Sequence, residues 1–184
     1  MTKTNLFVLA MVGLTMTGCT GSLQSFKAST EEVVQHQPPE VMPNGFVEMR
    51  VLAVLDTDTG PAVVLSDLPE RVLLPIWIGP SEALAISLRL HDQPFQRPLT
   101  HDLLDTMFRE TEVDLLSVRI DRVQGGTFVA TLQVQDGDRV FLIDSRPSDS
   151  IALALSQTVS IWVSETVVDI AGLSSRVRGR SRIP

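Results

Sequence analysis

Glu82, His101, Asp102, Asp144, Arg146 and Asp149 are ionisable side chains set into otherwise apolar text. They fall in three clusters: Glu82 just after Pro80 and Ser81, His101 and Asp102 just after Thr100, and Asp144, Arg146 and Asp149 close together. Carboxylates with one imidazole are suitable ligands for Mg2+ or Mn2+, ions that polarise a phosphate and activate water. His101 is one of three histidines, and an imidazole acts as acid, base or ligand near neutral pH. Asp144 ends a strand-like run in which alternation places it on the side of Val140 and Leu142. A carboxylate on such an apolar face is expected to be paired or to hold a cation. The spacing matches no strict metal motif.

Each of these residues also has a purely structural use. Glu82 and Asp149 fall where a first helical turn presents unpaired N–H groups and the positive end of its dipole. Pro80 and Pro147 suit a first helical position, Thr100 and Asp102 suit capping, and Arg146 suits an ion pair with Asp144 or Asp149. Ser81 and Ser148 follow prolines with no base nearby in sequence, and no phosphate-binding loop, GxSxG elbow, HExxH or CxxC pair occurs.

The elements that carry these residues look duplicated. Pro80-Ser81-Glu82-Ala83-Leu84-Ala85-Ile86 is echoed by Pro147-Ser148-Asp149-Ser150-Ile151-Ala152-Leu153, and each copy follows a strand-like run, at 72–79 and 139–145. Alternation and turn residues predict strands over 46–55, 62–68 and 72–79, then a helix over 81–91 that is apolar on most faces. Thr100 is the expected cap of a helix over 101–111. Strands follow over 113–123, 127–134 and 139–144, then a second apolar helix over about 148–157, a strand over 159–164 and a short helix over 165–171 that stops at Gly172. The class is α+β. Two strand-strand-strand-helix units form a mostly antiparallel sheet, which is expected to curl toward a barrel around the two apolar helices.

The ends of the chain are different in kind. Residues 1–19 read as an export signal: Lys3, an apolar run over 6–14 too short to span a bilayer, and Met16-Thr17-Gly18-Cys19. Cys19 is the sole cysteine, so a lipidated thiol at a lipoprotein cleavage site is expected. That gives a membrane anchor in a bacterial envelope, facing the periplasm, with Thr20 pointing to the outer membrane. Residues 20–45 read as a flexible tether, 46–172 as the folded domain, and 173–184 as a basic tail with Arg176, Arg178, Arg180 and Arg182. Hydrophobic residues make up 43% of the chain, which excludes global disorder. Between Phe46 and Leu173 there are nineteen Asp or Glu, nine Arg and no Lys, a balance of −10. Such a domain repels nucleic acid as a whole, so binding needs a local basic patch or a metal ion.

Leu74-Pro75-Ile76-Trp77-Ile78-Gly79-Pro80, Glu82-Ala83, Arg97-Pro98-Leu99-Thr100-His101-Asp102-Leu103, Gly126-Thr127-Phe128 and Asp144-Ser145-Arg146-Pro147-Ser148-Asp149 occur in that order. In this the chain resembles the bifunctional nuclease domain family over roughly 46–172. The resemblance implies a compact α+β domain of duplicated units that cuts DNA and RNA. It carries over to Glu82, His101, Asp102, Asp144, Arg146, Ser148 and Asp149. On that basis Arg146 would clamp phosphate, Glu82, Asp144 and Asp149 would hold Mg2+ or Mn2+, and His101, with Asp102 beside it, would move protons. The partners expected are nucleic acid, the membrane through Cys19, and a second copy of the chain in a homo-oligomer. The export signal departs from the usual bacterial relatives, and no UvrB/UvrC-like segment follows the domain. A non-catalytic binding or assembly module tethered in the envelope is the alternative.

Overall fold

A computed structural model describes residues 43–174. The leader, Cys19, most of the tether and the four tail arginines lie outside the described residues. The three described tether residues form a turn, in which Phe46 N–H bonds the Pro43 carbonyl and the Gly45 carbonyl accepts from Glu165 N–H.

Residues rich in Val, Leu and Ile between tight turns give one eight-stranded sheet. Its first unit is β1 (Phe46–Thr57), β2 (Gly60–Asp67) and β3 (Val72–Trp77), followed by helix α1 (Pro80–Leu90). After α2 (Thr100–Glu110) the order repeats as β4 (Val113–Gln124), β5 (Thr127–Asp136), β6 (Arg139–Ser145) and α3 (Pro147–Gln157). The chain then adds β7 (Ile161–Ser164), α4 (Glu165–Ala171) and β8 (Leu173–Ser174).

The strand order β6-β5-β4-β7-β1-β2-β3-β8 sets the two antiparallel meanders back to back around β7. β7 runs parallel to β4 and antiparallel to β1, so β1 and β4 run in opposite directions. That arrangement is what a two-fold relation between duplicated units requires. Register shifts in β1 and β4 curve the sheet, but among the described residues β6 and β8 are its two edges. The sheet is open, not a barrel.

The core joins both units. Val63, Leu65 and Leu74 from the first meet Val118, Ile120 and Ala130 from the second, with Ile151 and Leu153 of α3 between them. α3 packs on β4, β5, α1 and α2, and is buried from Pro147 to Ala154 apart from Asp149. α1 is not its equal. Leu84 is exposed and only Ala83, Ala85 and Ile86 are buried, because α1 lies against α3 and β1–β2 with its other side open.

Three local expectations change. Leu99, not Thr100, precedes the first turn of α2, and Asp102 supplies the capping bond by accepting from Leu99 N–H at 2.6 Å. The folded domain runs past Gly172, since Leu173 and Ser174 pair with Leu73 and Val72. Asp144 is exposed. β6 is an edge strand whose Val140 and Leu142 are also exposed, so their shared face is solvent and demands no counter-charge.

Candidate functional site

Repetition of the β-β-β-α unit brings helix starts together. α1, α2 and α3 each contribute first-turn residues to one cavity of about 460 Å3, lined among others by Ser81, Glu82, Thr100, His101, Arg146 and Asp149. Glu82 and Asp149 occupy the same position, the third residue, in α1 and α3. The positive ends of three helix dipoles therefore face this space, offset by the first-turn carboxylates.

Arg146, the residue before α3, ties the units together. Its Nε donates to Asp149 Oδ2 at 2.7 Å and its Nη2 to Asp149 Oδ1 at 2.8 Å, a fork-to-fork pair. The same Nη2 donates to Glu82 Oε1 at 2.8 Å. From α2, His101 Nε2 lies 3.0 Å from Asp149 Oδ1. With Asp149 ionised, that contact is an Nε2–H donating to the carboxylate, which leaves Nδ1 as the ring's acceptor. His101 is buried, at 7% exposure, and the guanidinium remains largely in solvent.

The charge states follow. Burial pushes the Asp149 carboxyl up, but hydrogen bonds from Arg146 and His101 outweigh it, and the group titrates below its ordinary 3.8. Hydrogen bonds to Asp149 and then Glu82 hold the Arg146 guanidinium above its ordinary range.

Gly79 is a supporting residue that sequence reasoning missed. A Cβ there would sit 2.3 Å from Glu82 Oε2, so glycine leaves room for the Glu82 carboxylate to fold back over the start of α1 toward Arg146, and a larger residue would push that carboxylate aside. The one available signal is that Gly79 stands before Pro80 where the second unit has Arg146 before Pro147.

Two proposed site residues lie elsewhere. Asp102 turns away from the cavity and accepts from Arg89 Nη2 at 2.7 Å as well as from Leu99 N–H. Its work is capping and joining α2 to α1. Asp144, exposed, lines a neighbouring groove between α2 and β5–β6 that Arg146 and Asp149 also border, but it does not line the cavity that holds Glu82 and His101. A divalent ion does not fit this arrangement. Glu82 and Asp149 both direct oxygens at Arg146, whose charge stands where an ion's would. Among the described residues no group of three or more His, Cys, Asp and Glu side chains is placed to hold a metal.

Comparison with known proteins agrees with the motifs. Two proteins described as uncharacterized, from two strains of Mycobacterium tuberculosis, are each 41% identical to this chain over 128 residues, covering 68% of this chain and 76% of the relative. The family model described as "Bifunctional nuclease domain" matches residues 63–176, a span that takes in Gly79, Glu82, His101, Arg146 and Asp149. The chain belongs to the bifunctional nuclease domain family.

Proposed function

We propose that the chain is a nuclease that hydrolyses phosphodiester bonds of DNA or RNA at the cavity between α1, α2 and α3. The observation that carries this is the contact of His101 with Asp149 and of Asp149 with Arg146 inside a cavity large enough for a small ligand. Asp149 orients the imidazole through Nε2, while Nδ1 accepts the proton of an attacking water. The water oxygen bonds phosphorus, the P–O bond to the leaving sugar oxygen breaks, and that oxygen takes a proton from the imidazolium or solvent. Arg146, an exposed planar cation with Nη1 outside its bonds to Glu82 and Asp149, neutralises charge growing on the phosphoryl oxygens. No step is routed through a metal.

The test is cleavage of end-labelled single-stranded DNA and RNA by the full chain, with EDTA, Mg2+, Mn2+ or Ca2+ present in parallel. Cleavage surviving EDTA and lost in Arg146→Met fits the scheme. Cleavage dependent on Mn2+ or Mg2+ restores an ion to the mechanism, and none under any condition removes the activity.

A second reading is favoured by one observation: all the side-chain bonds of Arg146 given above go to the protein's own carboxylates, as in a latch between units. The chain is then an envelope-tethered module without catalysis, and Arg146→Met lowers melting temperature with no cleavage to lose. In either case we place the protein in the bacterial envelope, on a lipid at Cys19 and facing the periplasm, from the leader motif alone.

A further inference from the structure

Next to the catalytic cavity, and sharing Arg146 with it, is a second hollow of about 420 Å3 bordered by Trp77, Ile78, Gly126, Phe128 and Ser148. Its volume lies within the roughly 300–1,000 Å3 of small-ligand sites. Hydrolysis as described uses none of these five residues. Trp77, at the end of β3, is 56% exposed, yet its indole N–H donates to Thr59 Oγ1 at 2.9 Å. The ring is held in place while more than half of its surface stays open.

Ser148 is the opposite case. It is 6% exposed, and its hydroxyl has no hydrogen-bond partner among the described residues. The hydroxyl oxygen is not fully enclosed, so a ligand atom in the hollow can reach it. It lies in the first turn of the eleven-residue α3, where backbone N–H groups are also unpaired. Gly126 has φ +80° and nothing within 4 Å of where a Cβ would stand, which keeps the far wall open.

We propose that this hollow is a nucleobase subsite, in which a base stacks on Trp77 and its polar edge bonds the Ser148 hydroxyl while the adjoining phosphate lies on Arg146. The substrate class rests on the nuclease activity proposed above; the subsite adds where the base goes and what binds it. Stacking tolerates any base and either sugar, so RNA and single-stranded DNA both fit. Stacking also answers the problem of charge. A domain with a −10 balance gains little by releasing counterions, and one phosphate on one arginine gives a log–log salt slope of only about −0.7.

The test is titration of the full chain with adenosine 5′-monophosphate, followed by tryptophan fluorescence and calorimetry, with ribose 5-phosphate as the base-free control. The second tryptophan, Trp162, is buried, so quenching reports Trp77. The nucleotide is expected to quench emission and to bind more tightly than the control. Trp77→Ala should weaken binding on the order of tenfold to a hundredfold, Ser148→Ala should weaken it with the fold intact, and the salt slope should be shallow. Equal binding of nucleotide and control, or wild-type affinity in both variants, overturns the subsite. Binding at Trp77 without cleavage of any oligonucleotide keeps the subsite and removes hydrolysis. Cleavage whose KM is unchanged in Trp77→Ala does the reverse.

Discussion

At the scale of single residues, Asp149 is the hinge of the account, because it alone touches both the proton-carrying group and the cation. Its carboxyl titrates below 3.8 in the folded chain, so between the two values the unfolded chain binds more protons. The stability Asp149 contributes is therefore complete above about pH 3.8 and is lost as the pH falls through the lower folded value. Thermal melts from pH 7 down to pH 2 should show a steeper acid limb in wild type than in Asp149→Asn, which has no proton to take up. Coincident limbs would mean that the pair with Arg146 contributes nothing. The sequence revealed these residues unevenly. Glu82, His101, Arg146 and Asp149 could be singled out because polar groups at helix starts are conspicuous in apolar text. Asp102 and Asp144 were equally conspicuous, but neither lines that cavity: α2 turns Asp102 toward Arg89, and an edge strand leaves Asp144 exposed in the groove next to it. Gly79 and Trp77 gave no such signal, since a glycine before a proline and a tryptophan in a strand are ordinary until neighbours are known.

At the scale of elements, α3 is the piece on which the rest is assembled. It meets the sheet on one side and both other long helices on the other, so its apolar side chains from Ile151 to Ala154 are buried. Leu153, 1% exposed, should therefore be costly to truncate: Leu153→Ala is expected to lose about 2–5 kcal/mol by denaturant titration, whereas Leu84→Ala on the exposed side of α1 should lose under about 1 kcal/mol. Equal losses would mean that α1 and α3 share the core evenly, as the duplicated text suggested. The duplication itself, the strands and all three long helices were readable from alternation, turn residues and apolar period. The difference in burial was not, because it depends on what packs outside each helix. The two-residue β8 was invisible for another reason: so short a strand has no period of its own, and only its pairing with β3 defines it.

At the scale of the whole molecule, the acidic domain, the leader motif and the family membership combine into one expectation: a nuclease of weak electrostatic grip held at the envelope. The address is testable separately from the activity. Cys19→Ser should abolish labelling by radioactive palmitate and move the protein from the membrane to the soluble fraction, with the folded domain unchanged. Labelling that survives the substitution would refute the anchor.

The most direct measurement is the initial rate at which the full chain cuts a labelled single-stranded oligonucleotide, wild type beside His101→Ala, both shown folded by circular dichroism. Removal of a positioned acid–base group should slow cleavage by about a hundredfold to ten-thousandfold. An unaltered rate in the folded variant would contradict the placing of catalysis between α1, α2 and α3.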